Sequence, residues 1–437
     1  AQTFPARTTL SGPAGGIVGA FAVAQQVGIT QCITFDMGGT STDVALCDGG
    51  LPRSGGSAVG GLPVRLPSLD IHTVGAGGGS LVRIDSGGAM RVGPQSAGAQ
   101  PGPACYGIGT QATVTDANVI LGRLRPDAFL GGTMTLDVDR ATTAMHAVAT
   151  HLSNDHISAA LGTVRIVNAA MARAVRTISV ERGHNPRHFA LVAFGGAGPL
   201  HAVQLAHELG IEQVVIPRYP GVLSALGMVT AAVTRSTSRP VFQALATITP
   251  DVLMQLIDAT QRELSEALRD DGEDVATFRH TLVVAMRYHG QAFTLDVPLI
   301  SQAATVPSID AALLETAASR FHQLHQRRYG HALLDRPLEI IQMQHTMAND
   351  ALPLPPTTHM PRTSALTAQM HVMTYPNDDT TAVMTAVYAR DTLCPDDRIV
   401  GPAIITQLDA TTVIPSDWVA TVTAVGTLII TRQMPDQ

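Results

Sequence analysis

Lysine is absent from this chain: all 28 of its basic side chains are arginine. That excludes a P-loop, whose lysine sits on the β- and γ-phosphates, and any Schiff-base chemistry, as long as the chain acts alone. Cysteine is scarce too. Cys32, Cys47, Cys105 and Cys394 are scattered without a C-x-x-C pair. A structural zinc site or a disulfide framework is therefore not expected, and the expected location is the cytoplasm. Charged residues make up only 14%, with 35 acidic against 28 basic and no basic run. Nucleic acid is not the expected partner. No apolar stretch reaches the ~20 residues that span a bilayer, and no signal peptide opens the chain, so no membrane role is expected. The first residue is Ala rather than Met, which suggests a fragment or a processed chain.

What is present is a 437-residue chain, 45% hydrophobic, with 40 glycines and 27 prolines. This is the composition of a folded, turn-rich protein of two or three domains. Over residues 1–235, short apolar runs alternate with glycine turns and helical patterns, as expected of an α/β layer architecture. Strands are expected at 33–35, 190–194 and 214–217, and helices at 158–182 and 199–209, the latter with Pro199 at its start and Gly210 past its end. Residues 236–350 read as an α+β region, with helices near 251–269 and 308–329 (opened by Ser308, closed by Gly330) bracketing strand-like 279–299. The run Leu352-Pro353-Leu354-Pro355-Pro356 is expected to be a linker. Short β runs from 382 to 431 then suggest a separate small β domain over 351–437, anchored by Trp418, the only tryptophan.

Three segments carry chemistry. In Asp36-Met37-Gly38-Gly39-Thr40-Ser41-Thr42-Asp43 a buried strand delivers Asp36 to its end and two glycines turn the backbone. Backbone N–H groups and the hydroxyls of Thr40, Ser41 and Thr42 would bind phosphate oxygens, with Mg²⁺ held by Asp36 or Asp43 through water. A tight hairpin whose small residues merely fit the turn is the alternative. The second segment, Gly195-Gly196-Ala197-Gly198, joins a strand to a helix N-terminus, a place that favours a phosphate or a planar base. The third runs from Asp70 and His72 into a stretch where 11 of the 35 residues from 75 to 109 are glycine. At i and i+2 of an extended strand, Asp70 and His72 would share a face and could bind a metal or act as orienter and base, or His72 could be purely structural. Cys105 is a candidate nucleophile, with buried filler the favoured account. Arg287–Gln291 and the helical set His322, His325 and Tyr329 fit an interface or a solvated face.

These residues resemble a family. FDMGGTSTDVAL (35–46), DIHTVGAGGGS (70–80), VGPQSAGAQPGPACYG (92–107), TVTDANVILGRL (113–124), FGGAGPLHA (194–202) and PRYPGVLSALG (217–227) are similar to motifs of the hydantoinase A/5-oxoprolinase family. Segments 285–299, 321–340 and 401–418 resemble its C-terminal region. The resemblance implies an actin-like (ribonuclease H-like) ATPase lobe followed by an α+β region. Residues 36–43 would be a phosphate loop and 195–198 the adenosine-side turn, while a first phosphate loop would lie in an N-terminal lobe that this sequence lacks. The implied activity is ATP-dependent opening of a small cyclic amide of hydantoin or 5-oxoproline type. ATP and Mg²⁺ would be needed, a further divalent metal stays open, and a B-type subunit is the implied partner. Homo-oligomerisation also stays open. The candidate catalytic residues are Asp36, Asp43 and His72. The candidate nucleotide-binding residues are Gly38, Gly39, Thr40, Ser41, Thr42, Gly195, Gly196, Ala197 and Gly198, and the candidate metal ligands are Asp36, Asp70 and His72. A subunit of an acetone- or acetophenone-type carboxylase, or a non-catalytic scaffold, is the alternative.

Overall fold

A hairpin organises the fold. In the computed structural model, which describes residues 11–54, 57–59, 62–64, 68–354, 362 and 364–433, β1 (Gln31–Met37) and β2 (Thr42–Asp48) pair antiparallel without a slip, Asp36 opposite Asp43 and Met37 opposite Thr42. Strand geometry sends alternate side chains to opposite faces. Ile33, Phe35, Met37 and Val44 pack with Met171, Val175, Ala202 and Val203 from helices His156–Ile178 and Gly198–Leu209. Cys32, Ala45 and Cys47 face the other way, onto α1 (Ser11–Gln26) and Leu223. Cys32 and Cys47 stand directly opposite each other as free, buried thiols.

β1 also pairs parallel with Ala190–Phe194, which pairs parallel with Gln213–Ile216. The sheet has eight strands, in the order Arg398–Val400, Trp418–Val422, Leu428–Arg432, Gln213–Ile216, Ala190–Phe194, β1, β2, His72–Val74. Three of these come from beyond residue 390, so this stretch does not stand apart as the separate β domain expected over 351–437. Leu428, Ile430, Trp418, Ala420 and Val422 are buried in the same core as Phe35 and Val214. The physical reason is edge protection. Without Leu428–Arg432 the short, wholly apolar end of Gln213–Ile216 would be an open edge. The other C-terminal strands form a second four-stranded sheet, Met370–Thr374, Val383–Ala389, Ala403–Thr406 and Thr411–Ile414.

The chain divides into two compact units, one of the described residues up to Thr230 together with those from Leu354, the other Ala231–Pro353. The second unit is a four-stranded antiparallel sheet, in the order Thr234–Ala244, Leu338–Ala348, Arg279–Tyr288, Leu295–Ala303. Helices Pro250–Asp270 and Ala311–Tyr329 contribute Leu253, Ile257 and Phe321 to its core. The latter helix is capped by Asp310, whose carboxylate accepts the Leu313 N–H at 2.8 Å, and not by Ser308. Pro355 and Pro356 of the expected linker lie outside the described residues.

α1 and helix Leu223–Thr230 cross with glycine against glycine. A Cβ built on Gly227 would lie 1.9 Å from the Gly15 carbonyl oxygen, and one on Gly15 would lie 2.6 Å from the Ser224 oxygen. Gly227→Ala is therefore expected to destabilise the protein by about 3 kcal/mol or more in urea unfolding. Gly12→Ala, on α1 with nothing within 4 Å, should leave stability unchanged or raise it by up to about 1 kcal/mol.

Candidate functional site

In the turn between β1 and β2 the carbonyls of Gly38, Gly39 and Ser41 are occupied. Gly38 N–H closes the turn on the Ser41 carbonyl at 3.1 Å. The Gly38 and Gly39 carbonyls accept from Gly78 N–H at 3.0 Å and Gly79 N–H at 2.7 Å. The fit between the two glycine loops leaves no room for side chains, since a Cβ on Gly77 would lie 2.6 Å from the Thr40 nitrogen. Among the described residues the N–H groups of Gly39, Thr40 and Ser41 have no backbone acceptor. Gly39 and Thr40 are exposed. Consecutive open amides in a turn are the kind of donor set, a nest, that can receive an anion.

Two carboxylates flank the nest. Asp36 and Asp43 are cross-strand partners and so share a face. Burial, then the neighbouring Asp43 charge, pushes the Asp36 carboxyl up to about 6, with the Ser224 hydroxyl pulling it down. Burial also raises Asp43, opposed by a short hydrogen bond from the Thr73 hydroxyl. The Gly195 turn closes on the same spot. Asp36 pairs with Phe194 across the parallel strands. Gly195 adopts φ +78°, and a Cβ there would lie 2.4 Å from the Asp36 carboxylate. Ala197 N–H donates to the Met37 carbonyl at 3.0 Å. Both glycine segments thus meet at the carboxyl ends of adjacent parallel strands, where open α/β sheets bind ligands.

Residues 1–237 match the family model described as hydantoinase/oxoprolinase. This chain belongs to the hydantoinase/oxoprolinase family. Caprolactamase subunit alpha from Pseudomonas jessenii is 33% identical over 420 residues, covering 93% of this chain and 59% of that protein. 5-Oxoprolinase 1 of Arabidopsis thaliana is 34% identical over 361 residues, covering 77% of this chain and 28% of the relative. The crystal structure of the ATP-dependent caprolactamase from Pseudomonas jessenii superposes with a TM-score of 0.84 at 30% identity, over 97% of this chain and 62% of that one. A nucleotide-free acetone carboxylase structure superposes with a TM-score of 0.76 at 25% identity, over 96% and 61%. These matches assign the fold to the actin-like α/β type. The chain spans about three fifths of the length of the caprolactamase and acetone carboxylase chains it matches.

Not every expected site residue joins the nest. Thr42 is fully buried, and its hydroxyl donates to the Ala76 carbonyl at 2.5 Å, so it has no donor left for a ligand. The reason is register, because Thr42 stands opposite Met37 on the core face. His72 pairs with Val44, one position away from the Asp43–Thr73 pair, which turns it to the face opposite the two carboxylates. Asp70 precedes that strand and forms an ion pair with Arg182. The set Asp36, Asp70 and His72 is therefore not assembled, and among the described residues no group of three His, Cys, Asp or Glu could hold a metal. Cys105 is buried, its thiol pushed up chiefly by burial and then by the Asp116 charge, as befits filler and not a nucleophile.

The glycine-rich stretch and the segments holding Thr73 and Ser224 stand out in the sequence. The bracing role of loop 77–79 and the contacts of Thr73 and Ser224 with the carboxylates are found only by tertiary proximity. So is Asp409, whose carboxylate accepts Gly221 N–H at 2.8 Å, and whose backbone oxygen lies 3.6 Å from a Cβ position on Gly196. Past Asp409 opens a cavity of about 610 Å³ walled by Tyr219, Val222 and Leu408, with Arg218 and Arg390 as its cations. Arg218 lies over the Tyr219 ring at 5.1 Å. Burial, then Arg218, lowers the Arg390 guanidinium to about 9, and among the described residues its buried Nε has no hydrogen-bond partner.

The raised Asp36 value has a stability consequence. Between about pH 4 and pH 6 the folded state keeps a proton that the unfolded chain has released, so stability falls as pH rises through that window. Above about pH 6 the whole cost is present. Asp36→Asn is thus expected to stabilise the protein at pH 8 by on the order of 2 kcal/mol and to have little effect at pH 4, as read by urea unfolding at both values.

Proposed function

We propose that this chain supplies the ATP-binding half of an enzyme that opens small cyclic amides. The observation that supports this most directly is the open amide row of Gly39–Ser41 set between Asp36 and Asp43. In this reading the amides and the hydroxyls of Thr40 and Ser41 hold phosphate oxygens, and the Gly195–Gly198 turn with the cavity beyond Asp409 receives the nucleoside end. Asp36 and Asp43 fit Mg²⁺: two facing carboxylates, both disfavoured as anions by burial, gain from a divalent cation. Mg²⁺ commonly takes one or two carboxylates and completes its shell with phosphate and water. When bound, it would neutralise charge on the phosphates.

The chemistry needs positioning more than a protein nucleophile. The γ-phosphoryl group passes to the amide oxygen, releasing ADP. Water adds to the activated carbon, and the ring C–N bond breaks as the nitrogen takes up a proton. A second water hydrolyses the resulting acyl phosphate to carboxylate and phosphate. Asp36 is ionised above about pH 6 and can accept a proton from water at the strand end. No lysine is called for. The name of the Pseudomonas relative, a subunit alpha, supports a partner subunit here, for which we propose the B-type, and the use of ATP suits the cytoplasm. The likeness to acetone carboxylase supports a second reading, a nucleotide-binding subunit of an ATP-dependent carboxylase, because the phosphate loop would serve the ATP half of either reaction.

Titration of Mg·ATP is expected to show saturable binding, weakened at least about tenfold by Asp36→Ala. Equal binding by that variant would remove the phosphate assignment. With the partner subunit present, ATP-dependent phosphate release should respond to caprolactam, 5-oxoproline or a hydantoin. A response confined to a ketone plus bicarbonate would favour the carboxylase reading instead.

A further inference from the structure

For the amides of Gly39 and Thr40 to face a phosphate, something must fix their direction. A trans peptide is planar, with its C=O and N–H pointing opposite ways. The Gly38 carbonyl is held by Gly78 N–H, so the Gly39 N–H of that same peptide must point away from loop 77–79. The Gly39 carbonyl is held by Gly79 N–H at 2.7 Å and approached by the Ser96 hydroxyl at 3.4 Å, so the Thr40 N–H is turned outward as well. The anion nest is created by clamping the carbonyls behind it.

The clamp is anchored in turn. The Gly78 carbonyl accepts two hydrogen bonds from one residue, Thr115 N–H at 2.8 Å and Thr115 Oγ1 at 2.9 Å. Thr115 lies in the first turn of helix Val114–Ile120, where backbone N–H groups lack intrahelical acceptors. Asp116 fixes that helix end. Its buried carboxylate accepts from the Ala104, Cys105 and Thr113 N–H groups at 3.2, 2.7 and 2.8 Å and from the Thr113 hydroxyl at 2.7 Å. Donation to the Gly78 carbonyl polarises and fixes the peptide it shares with the Gly79 N–H, the group that holds the Gly39 carbonyl, and stiffens the loop whose preceding N–H holds the Gly38 carbonyl.

We infer that Thr115 is a positioning residue for the phosphate loop, acting through Gly78 to aim the amides of Gly39 and Thr40. This rests on the reading of Gly39–Ser41 as the phosphate donors. The test compares Thr115→Val, which keeps the shape and removes the hydroxyl, with Thr115→Ser, which keeps it, in the full chain. Thr115→Val is expected to weaken Mg·ATP by about three- to tenfold, to shift the amide NMR signals of Gly39, Thr40 and Gly78, and to leave the thermal midpoint near the parent's. Thr115→Ser should restore both affinity and signals. A folded Thr115→Val variant that binds Mg·ATP like the parent overturns the inference, and so do Gly39 and Thr40 signals that do not move. If the parent itself fails to bind Mg·ATP, the ATP reading fails, while the amide signals still decide the clamp. Should Thr115→Val fold poorly, Thr115→Ala is read by the same signals with the same outcomes.

Discussion

The contact on which the site depends is peptide against peptide. Gly38–Gly39 and Gly77–Gly79 lie against each other with no side chain between them, and Gly78 and Gly79 N–H groups take up the two carbonyls of the turn. A side chain at position 77 would strike the Thr40 nitrogen. The glycine run therefore serves close approach, a need that only a residue without Cβ meets. Because the carbonyls are satisfied behind the loop, the amides face outward and remain available for an anion.

The proposed phosphate reading needs no lysine. A lysine would bring a mobile charge to the ligand, whereas in that reading the positive potential comes from fixed N–H dipoles and from a cation held by Asp36 and Asp43. Burial and mutual repulsion hold Asp36 near 6, so the pair carries an uncompensated cost that a divalent ion would remove. The arginines are placed elsewhere. Arg182 pairs with Asp70, Arg123 is buried with bonds to the carbonyls of Tyr375 and Asn377, and Arg218 and Arg390 line the cavity past Asp409.

Parts of this were legible beforehand. The strand ending in Asp36, the glycine turn after it and the helix after Gly198 follow from local rules, since apolar runs bounded by glycine and a proline at a helix start act over a few residues. Thr42 and His72 were not legible, because their direction depends on pairing register, and a one-residue offset moves a side chain to the opposite face. The C-terminal strands look like a small domain of their own when only turn spacing is considered. Their partner, Gln213–Ile216, lies some two hundred residues away in the chain, and no local pattern announces it.

By itself the sequence determined the chemistry that is excluded and the places where backbone can approach backbone, since composition and glycine placement are properties of the chain alone. Tertiary structure decided which glycines meet, which carboxylates share a face, and that Asp70 belongs to Arg182 and not to His72. Those outcomes turn on strand register and long-range packing, where the deciding neighbour is distant in sequence and its identity is written nowhere near the residue it controls.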